Sequence, residues 1–198
     1  MAIVVDKVKK RRDIALSCKE LFFLHKTKNI TISQIAKTAG VGKGTLYGYF
    51  KNKEDIVFEI ISSMIEERNI LVERRISQTQ TTKEKIKLFA TFFHSDEDEE
   101  LRKFYKEFIS ISLSSPDDKI IEFQTQCFNE YYLWFEKIIV EGIKKGELAP
   151  QSKKLVKGLY TTSKGLFISD STTNSIDNLK DELEDYIDAI FELIEVKK

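Results

Sequence analysis

Apolar side chains recur every three or four residues through most of this sequence. Ile14, Cys18 and Phe22 form one such stripe near the start, and Ile187 and Phe191 belong to another near the end. This spacing matches the turn of an amphipathic helix and not the two-residue alternation of a strand. Only 8 Gly and 2 Pro interrupt the 198 residues, so individual helices can be long. The pattern predicts an all-α fold.

Charged residues are distributed unevenly along the chain. Residues 1–53 contain 12 Lys or Arg against 3 Asp or Glu, which gives a net charge of +9. Residues 54–198 contain the remaining 20 basic and 29 acidic residues, a net charge of −9, so the whole chain is neutral. A basic segment attracts polyanions and an acidic one repels them. We therefore predict a polyanion-binding domain at 1–53 and a larger helical domain at 54–198.

Two short helices joined by a glycine-containing turn are predicted inside the basic segment. Thr31 and Gln34 have the spacing of a capping box, which starts a helix. Gly40 suits the end of that helix, and a second short helix follows from about Lys43 to Tyr49. This arrangement is a helix-turn-helix, in which the second helix enters the major groove of DNA.

Several side chains of this segment have the chemistry to bind DNA. Lys43 and Thr45 lie early in the second helix, where side chains and backbone N–H groups meet phosphates or base edges. Tyr47 and Tyr49 carry hydroxyls that can donate to phosphate, and packing of the Tyr47 ring beneath the helix is the alternative. For the nearby lysines, the alternative is simple solvation. The predicted DNA-binding residues are Thr31, Ser33, Lys43, Thr45, Tyr47, Tyr49, Lys51 and Lys53.

The stretch from Thr31 to Ile56 resembles the DNA-binding signature of the TetR family of transcriptional regulators. The resemblance is carried by four short runs, at residues 35–41, 44–47, 49–50 and 51–55. It implies an all-helical homodimer that represses a promoter and leaves the DNA when a small ligand binds.

The same resemblance implies roles for individual residues. Thr45, Tyr49 and Lys53 would contact phosphates, and Lys43 and Tyr47 would be the recognition-helix contacts. Gly48 departs from the family, because many members have a larger side chain there.

A long helix and five further helices are predicted after the basic segment. Asn52 is a suitable N-cap for a helix that continues to about residue 76, with a length of about 36 Å. Later apolar stripes predict helices at 83–94, around 101–109, at 117–145, at 152–169 and at 178–196.

The last two helices, 152–169 and 178–196, are the predicted dimer interface. The resemblance implies that they pair with their copies in a four-helix bundle. A two-fold homodimer would place its recognition helices about 34–36 Å apart, one turn of double-stranded DNA, and would bind a pseudo-palindromic operator.

Aromatic residues are dense between positions 89 and 135. Aromatic rings fill protein cores, and they also line ligand pockets together with a few polar groups. We expect core packing for most of them and a pocket for a small apolar or aromatic effector among the rest. The predicted ligand-binding residues are Phe89, Phe93, His94, Phe104, Phe108, Gln124, Cys127, Phe128, Tyr131 and Trp134.

Other function classes find less support in the sequence. His25 and His94 stand alone, and no catalytic or metal-binding motif is present, so we expect no enzyme activity, no metal and no cofactor. One alternative keeps the DNA-binding domain but controls it by oxidation of Cys127 or Cys18. Another is an architectural protein that coats DNA without sequence preference.

No membrane association is expected either. No apolar run approaches the roughly 18 residues of a membrane-spanning helix, and the apolar run at the start is too short for a signal peptide. The expected location is the cytoplasm.

Overall fold

The computed structural model describes residues 6–25, 29–114 and 117–197. The prediction of an all-α fold is confirmed, and within these ranges the only β-type pairing is a single bridge between Leu148 and Glu195. The helices are α1 (Lys7–Ser17), α2 (Lys19–Leu24), α3 (Ile32–Thr38), α4 (Lys43–Tyr49), α5 (Lys53–Gln78), α6 (Thr82–Ala90), α7 (Glu99–Ser114), α8 (Asp118–Lys144), α9 (Val156–Thr172) and α10 (Leu179–Ile194). Short 3-10 turns occupy Thr91–Phe93, Asp96–Asp98 and Pro150–Leu155.

The chain divides into two compact units, one ending at Asn69 and the other beginning at Ile70. Helix α5 starts in the first unit and ends in the second. The first unit therefore extends past residue 53, where the basic segment ends, and includes the first two-thirds of α5.

The apolar stripe at the start of the chain forms two helices where the periodicity predicts one. Helix α1 ends at Ser17 and α2 begins at Lys19, with a turn at Cys18. The Ser17 hydroxyl donates to the Ile14 carbonyl oxygen at 2.7 Å. The apolar spacing continues through Cys18, so it does not show this break.

The helix-turn-helix forms as the local sequence dictates. Thr31 and Gln34 make the reciprocal capping box that starts α3. Gly40 then adopts a left-handed conformation with φ of 64°, which residues with a side chain rarely adopt. The Val41 N–H donates to the Ala36 carbonyl across this turn at 3.0 Å, and α4 follows. The position and length of the turn are thus set by one glycine.

The first unit has a small apolar core beneath these helices. Its buried side chains come from α1 to α5 and include Ile14, Phe22, Ile35, Leu46, Phe50, Ile56 and Ile60. Leu46 and Phe50 attach α4 to this core, so the opposite face of α4 remains exposed.

The second unit has a larger core, which α6, α8, α9 and α10 share. Its fully buried members are Ile86, Ile139, Leu148, Val156, Phe167, Leu183, Ile187 and Phe191. Helix α10 is amphipathic, and its apolar stripe is covered by the same chain. The last helix therefore does not need a second subunit to bury its main apolar face.

Helices α6 and α8 approach closely at Gly142. A Cβ atom added to Gly142 would lie 2.4 Å from Thr82 Oγ1 and 2.9 Å from Thr82 Cγ2. Thr82 cannot easily move, because its hydroxyl donates to Glu147 Oε2 at 2.6 Å and its backbone N–H donates to the same oxygen at 2.8 Å. These hydrogen bonds lower the pKa of Glu147 although burial acts in the opposite direction.

We expect Gly142→Ala to destabilise the protein by about 2 kcal/mol. Overpacking costs about 1–3 kcal/mol and each lost hydrogen bond about 1, against a helix-propensity gain of about 1. Denaturant unfolding would measure the change. Thr82→Ala removes the obstructing atoms, so the added methyl should cost less in that background. Equal costs in both backgrounds would contradict the steric explanation.

Candidate functional site

The outward face of the helix-turn-helix carries most of the predicted DNA-binding residues. Six of the eight are exposed, namely Thr31, Ser33, Lys43, Thr45, Tyr47 and Lys51. The Tyr47 side chain is 58% exposed, whereas its neighbour Leu46 is 1% exposed. Leu46 therefore anchors α4, and the Tyr47 ring projects away from the core. Packing beneath the helix, the alternative for Tyr47, does not occur.

Tyr49 and Lys53 are half-buried at the end of α4 and the start of α5. The Lys53 ammonium donates to the Ile30 carbonyl oxygen at 3.4 Å. Thr31 is exposed, but its hydroxyl is already engaged in the capping box with Gln34. DNA contacts by these three residues remain predictions, and for Thr31 the structure gives the hydroxyl a structural role as well.

Gly48 faces outward in the middle of α4. It is exposed, and a Cβ atom added there would meet nothing within 4 Å. The absence of a side chain at this position is therefore not imposed by packing within the chain.

Arg11 holds the end of α4 in place, a role that the sequence did not indicate. Its Nε donates to Glu59 Oε2 at 2.6 Å, its Nη1 donates to the Tyr49 carbonyl oxygen, and its guanidinium lies 4.4 Å from the centroid of the Phe50 ring. Arg12 pairs with Glu66 in the same unit. Two charges of the basic segment are therefore neutralised by α5, and the DNA-facing charge is smaller than +9.

Most aromatic rings of the second unit pack against one another. Phe89 makes edge contacts with Tyr131, Trp134 and Phe135, at centroid distances of 6.5, 4.8 and 5.7 Å. Phe104 and Phe108 are also buried. Gln124, in contrast, donates from Nε2 to the Ser112 hydroxyl at 2.7 Å. Core packing thus accounts for several members of the predicted ligand set.

An open cleft of about 360 Å³ lies where α7, α9 and the start of α10 meet. Its lining residues are Phe93, His94, Arg102, Lys106, Phe167, Asp170, Asn178, Leu179 and Lys180. Phe93 and His94 belong to the predicted ligand set, and the other eight members do not line this cleft. Burial, together with the positive charges of Lys180 and Arg102, lowers the pKa of His94 and so favours the neutral imidazole.

Lys164 on α9 lies among aromatic rings in the interior of the second unit. Its Nζ lies 4.9 Å from the ring centroid of Phe128, 5.1 Å from that of Tyr160 and 5.4 Å from that of Tyr105. The side chain is half-buried, and burial lowers its pKa to about 8. The sequence could have shown this placement, because Lys164 follows Tyr160 by four residues and precedes Phe167 by three. This spacing puts all three on the buried face of α9.

Neither cysteine has the properties of a reactive thiol. Cys18 is fully buried, and its Sγ lies 3.6 Å from the Ile35 carbonyl oxygen. Burial raises the pKa of Cys18, and burial with the nearby Glu130 raises that of Cys127 to about 11. The thiolate is the oxidisable form, and it is scarce at neutral pH for both residues. This argues against gating by oxidation.

Within residues 6–25, 29–114 and 117–197, no three His, Cys, Asp or Glu side chains lie close enough to share a metal ion. No helix in those ranges combines the length and apolarity needed to cross a membrane.

Comparison with known proteins identifies the helix-turn-helix. Residues 18–60 match the family model described as bacterial regulatory proteins, tetR family. Over 57 residues, the chain is 44% identical to the fatty acid metabolism regulator protein of Bacillus subtilis, a match that covers 29% of each chain. The sequence likeness to that relative is thus confined to less than a third of its length.

Solved structures extend the likeness to the fold of almost the whole chain. A TetR-family transcriptional regulator from Cytophaga hutchinsonii has a TM-score of 0.75 at 17% identity, with 96% of each chain covered. The transcriptional regulator FadR from Bacillus subtilis, in complex with stearoyl-CoA, has a TM-score of 0.56 at 22% identity, with 91% of this chain and 95% of that one covered. Residues 18–60 therefore match the DNA-binding segment of the TetR family, and nearly the whole chain shares its all-α fold with TetR-family regulators of known structure.

Proposed function

We propose that the protein is a homodimeric repressor that binds a pseudo-palindromic operator and leaves it when a small ligand binds. The observation that carries the DNA-binding part is the exposed face of α4, where Lys43, Thr45 and Tyr47 project from a helix anchored by Leu46. A short helix with cationic and hydroxyl side chains on its free face can enter the major groove.

The dimer interface is proposed on the outer face of α9 and α10. Gly158 and Gly165 lie seven residues apart on α9, and a Cβ atom added at either would meet nothing within 4 Å. Glycine within a helix costs about 1 kcal/mol relative to alanine. Packing among the described residues does not require glycine at these two positions, whereas close approach of a second helix would. Ile168, 38% exposed, and Leu193, 79% exposed, add apolar surface.

The ligand site is proposed in the second unit. The structurally similar regulator FadR from Bacillus subtilis is in complex with stearoyl-CoA. The second unit of this chain has aromatic surfaces, an open cleft and a half-buried lysine. Helix α5 has residues in both units. Ligand binding would displace α5 and change the spacing of the two DNA-binding units, so that phosphate contacts on both half-sites could not be kept together.

We expect Lys53→Gln and Tyr49→Phe to weaken DNA binding on every sequence, because phosphate contacts carry no base information. Lys53→Gln should also reduce the slope of log affinity against log salt by about 1. Gel-shift titrations would use duplexes selected from a random library by the wild-type protein. Lys154→Gln, an exposed lysine of the second unit, is the control.

Lys43 and Tyr47 variants should behave differently, with losses that depend on the base sequence. Unchanged affinity in both the Lys53 and Tyr49 variants would overturn their assignments. Absence of any retarded duplex at low ionic strength would overturn the proposed function itself, and equal affinity for all sequences would favour an architectural protein.

A further inference from the structure

We propose that Lys164 is the binding site for the acidic group of the effector, which is therefore an organic acid with an apolar portion. The inference deepens the proposed function, because it names the chemical class of the ligand. It rests on the placement of one ammonium group among three aromatic rings in the second unit.

The first argument is that Lys164 has no anionic partner in the part of the chain that the structure describes. No carboxylate lies within 4 Å of its Nζ among the described residues, and its neighbours there are rings. Lys87 shows the usual arrangement in this unit, since its Nζ lies 2.7 Å from Asp188 Oδ2. A half-buried cation without a counter-ion is unfavourable. A bound acid would supply the missing negative charge.

The second argument concerns the other titratable groups around Lys164. Tyr105 comes from α7, Cys127 from α8 and Tyr160 from α9. Burial raises the pKa of Tyr105 to about 12 and that of Cys127 to about 11, and it also raises that of Tyr160. All three are neutral at pH 7. The nearby carboxylate of Glu130 is exposed and accepts a hydrogen bond from Gln126 at 3.0 Å.

The third argument concerns the walls of the site. Phe128 and Tyr132 stack at 6.2 Å, Phe128 and Tyr160 meet edge to face at 5.1 Å, and Tyr105 stacks on Phe167 at 5.8 Å. These rings form an apolar surface around the Lys164 ammonium, and a second ammonium, that of Lys106, lies 5.1 Å from the ring centroid of Phe167. An aromatic cage can also bind an ammonium ligand, but here the chain's own ammonium occupies it. A cationic ligand would meet repulsion, and a neutral one would leave Lys164 unpaired.

The test compares ligands that differ only in charge. Calorimetry at pH 7 would measure binding of 4-phenylbutyrate, 4-phenylbutanol and 4-phenylbutylamine, and of decanoate, decanol and decylamine, to the full-length protein without DNA. We expect at least one acid to bind at least tenfold more tightly than its alcohol, and the amines to bind most weakly. Lys164→Met should abolish the preference for the acid, and Lys164→Arg should retain it.

Lys157→Met is the matched control, an exposed lysine two turns earlier on α9. It should leave the preference unchanged. The inference is overturned if neither acid binds at millimolar concentration, if acid and alcohol bind equally, if an amine binds best, or if Lys164→Met keeps the preference.

The proposed ligand class and the proposed release of DNA can fail independently, because ligand binding is measured without DNA. Acid binding that depends on Lys164 but leaves the operator complex intact would support the ligand class and contradict ligand-induced release. Release of the operator by a ligand whose affinity does not depend on Lys164 would support ligand-induced release and contradict the proposed role of Lys164.

Discussion

Replacing Gly165 by leucine is expected to leave each chain folded and to reduce operator affinity by at least 100-fold. The position is exposed on α9, and a Cβ atom added there meets nothing within 4 Å. Leucine also favours a helix more than glycine does, by up to about 1 kcal/mol. A monomer engages one half-site, and loss of the second removes an avidity of about 10²–10⁴.

Sedimentation velocity, circular dichroism and gel shift on one preparation would check this result. The expected outcome is a monomer with unchanged helix content and greatly weakened DNA binding. Lys137→Leu adds the same side chain to the exposed face of α8 and should remain dimeric. A Gly165→Leu protein that stays dimeric and binds normally would exclude this face of α9 as the interface.

Lys164→Met is expected to raise the free energy of unfolding by about 1–2 kcal/mol at pH 7. Burial lowers the pKa of Lys164 from 10.5 to about 8, which corresponds to at most about 3 kcal/mol against the charged form. Partial exposure and the surrounding rings offset part of this penalty. Methionine has a similar shape and no charge.

The stability gain of Lys164→Met should be largest below pH 8 and should decrease at higher pH. Below pH 8, Lys164 is protonated in the folded and unfolded states, so the penalty is fully present. Between pH 8 and 10.5 the folded state loses this proton first, and the penalty disappears. Because Cys127 and the tyrosines titrate in the same range, the measured quantity is the difference between variant and wild type. A stability gain that persists undiminished at pH 10.5 would contradict the explanation.

Local signals in the sequence predicted the helix-turn-helix well. The capping box at Thr31 and Gln34 and the left-handed Gly40 depend on residues a few positions apart, and both form as expected. The predicted α4, Lys43 to Tyr49, agrees with the structure at both ends. The interruption at Cys18 was missed, because the apolar spacing continues through it.

Interactions between distant parts of the sequence could not be predicted from periodicity. Arg11 and Glu59 are 48 residues apart, and Thr82 and Glu147 are 65 apart. A helical stripe shows which face is buried but not which partner covers it. For the same reason, periodicity did not show that Phe89, a predicted ligand residue, packs in the core, and it did not show the aromatic surroundings of Lys164. The ligand-binding set remains a prediction.

The open position at Gly48 has a consequence for engineering. Its Cα lies on the exposed face of α4, and the helix is held from the other side by Leu46 and Phe50. New functional groups can therefore be introduced there without repacking the protein. Libraries randomised at this one codon would offer a direct route to variants retargeted to other promoters.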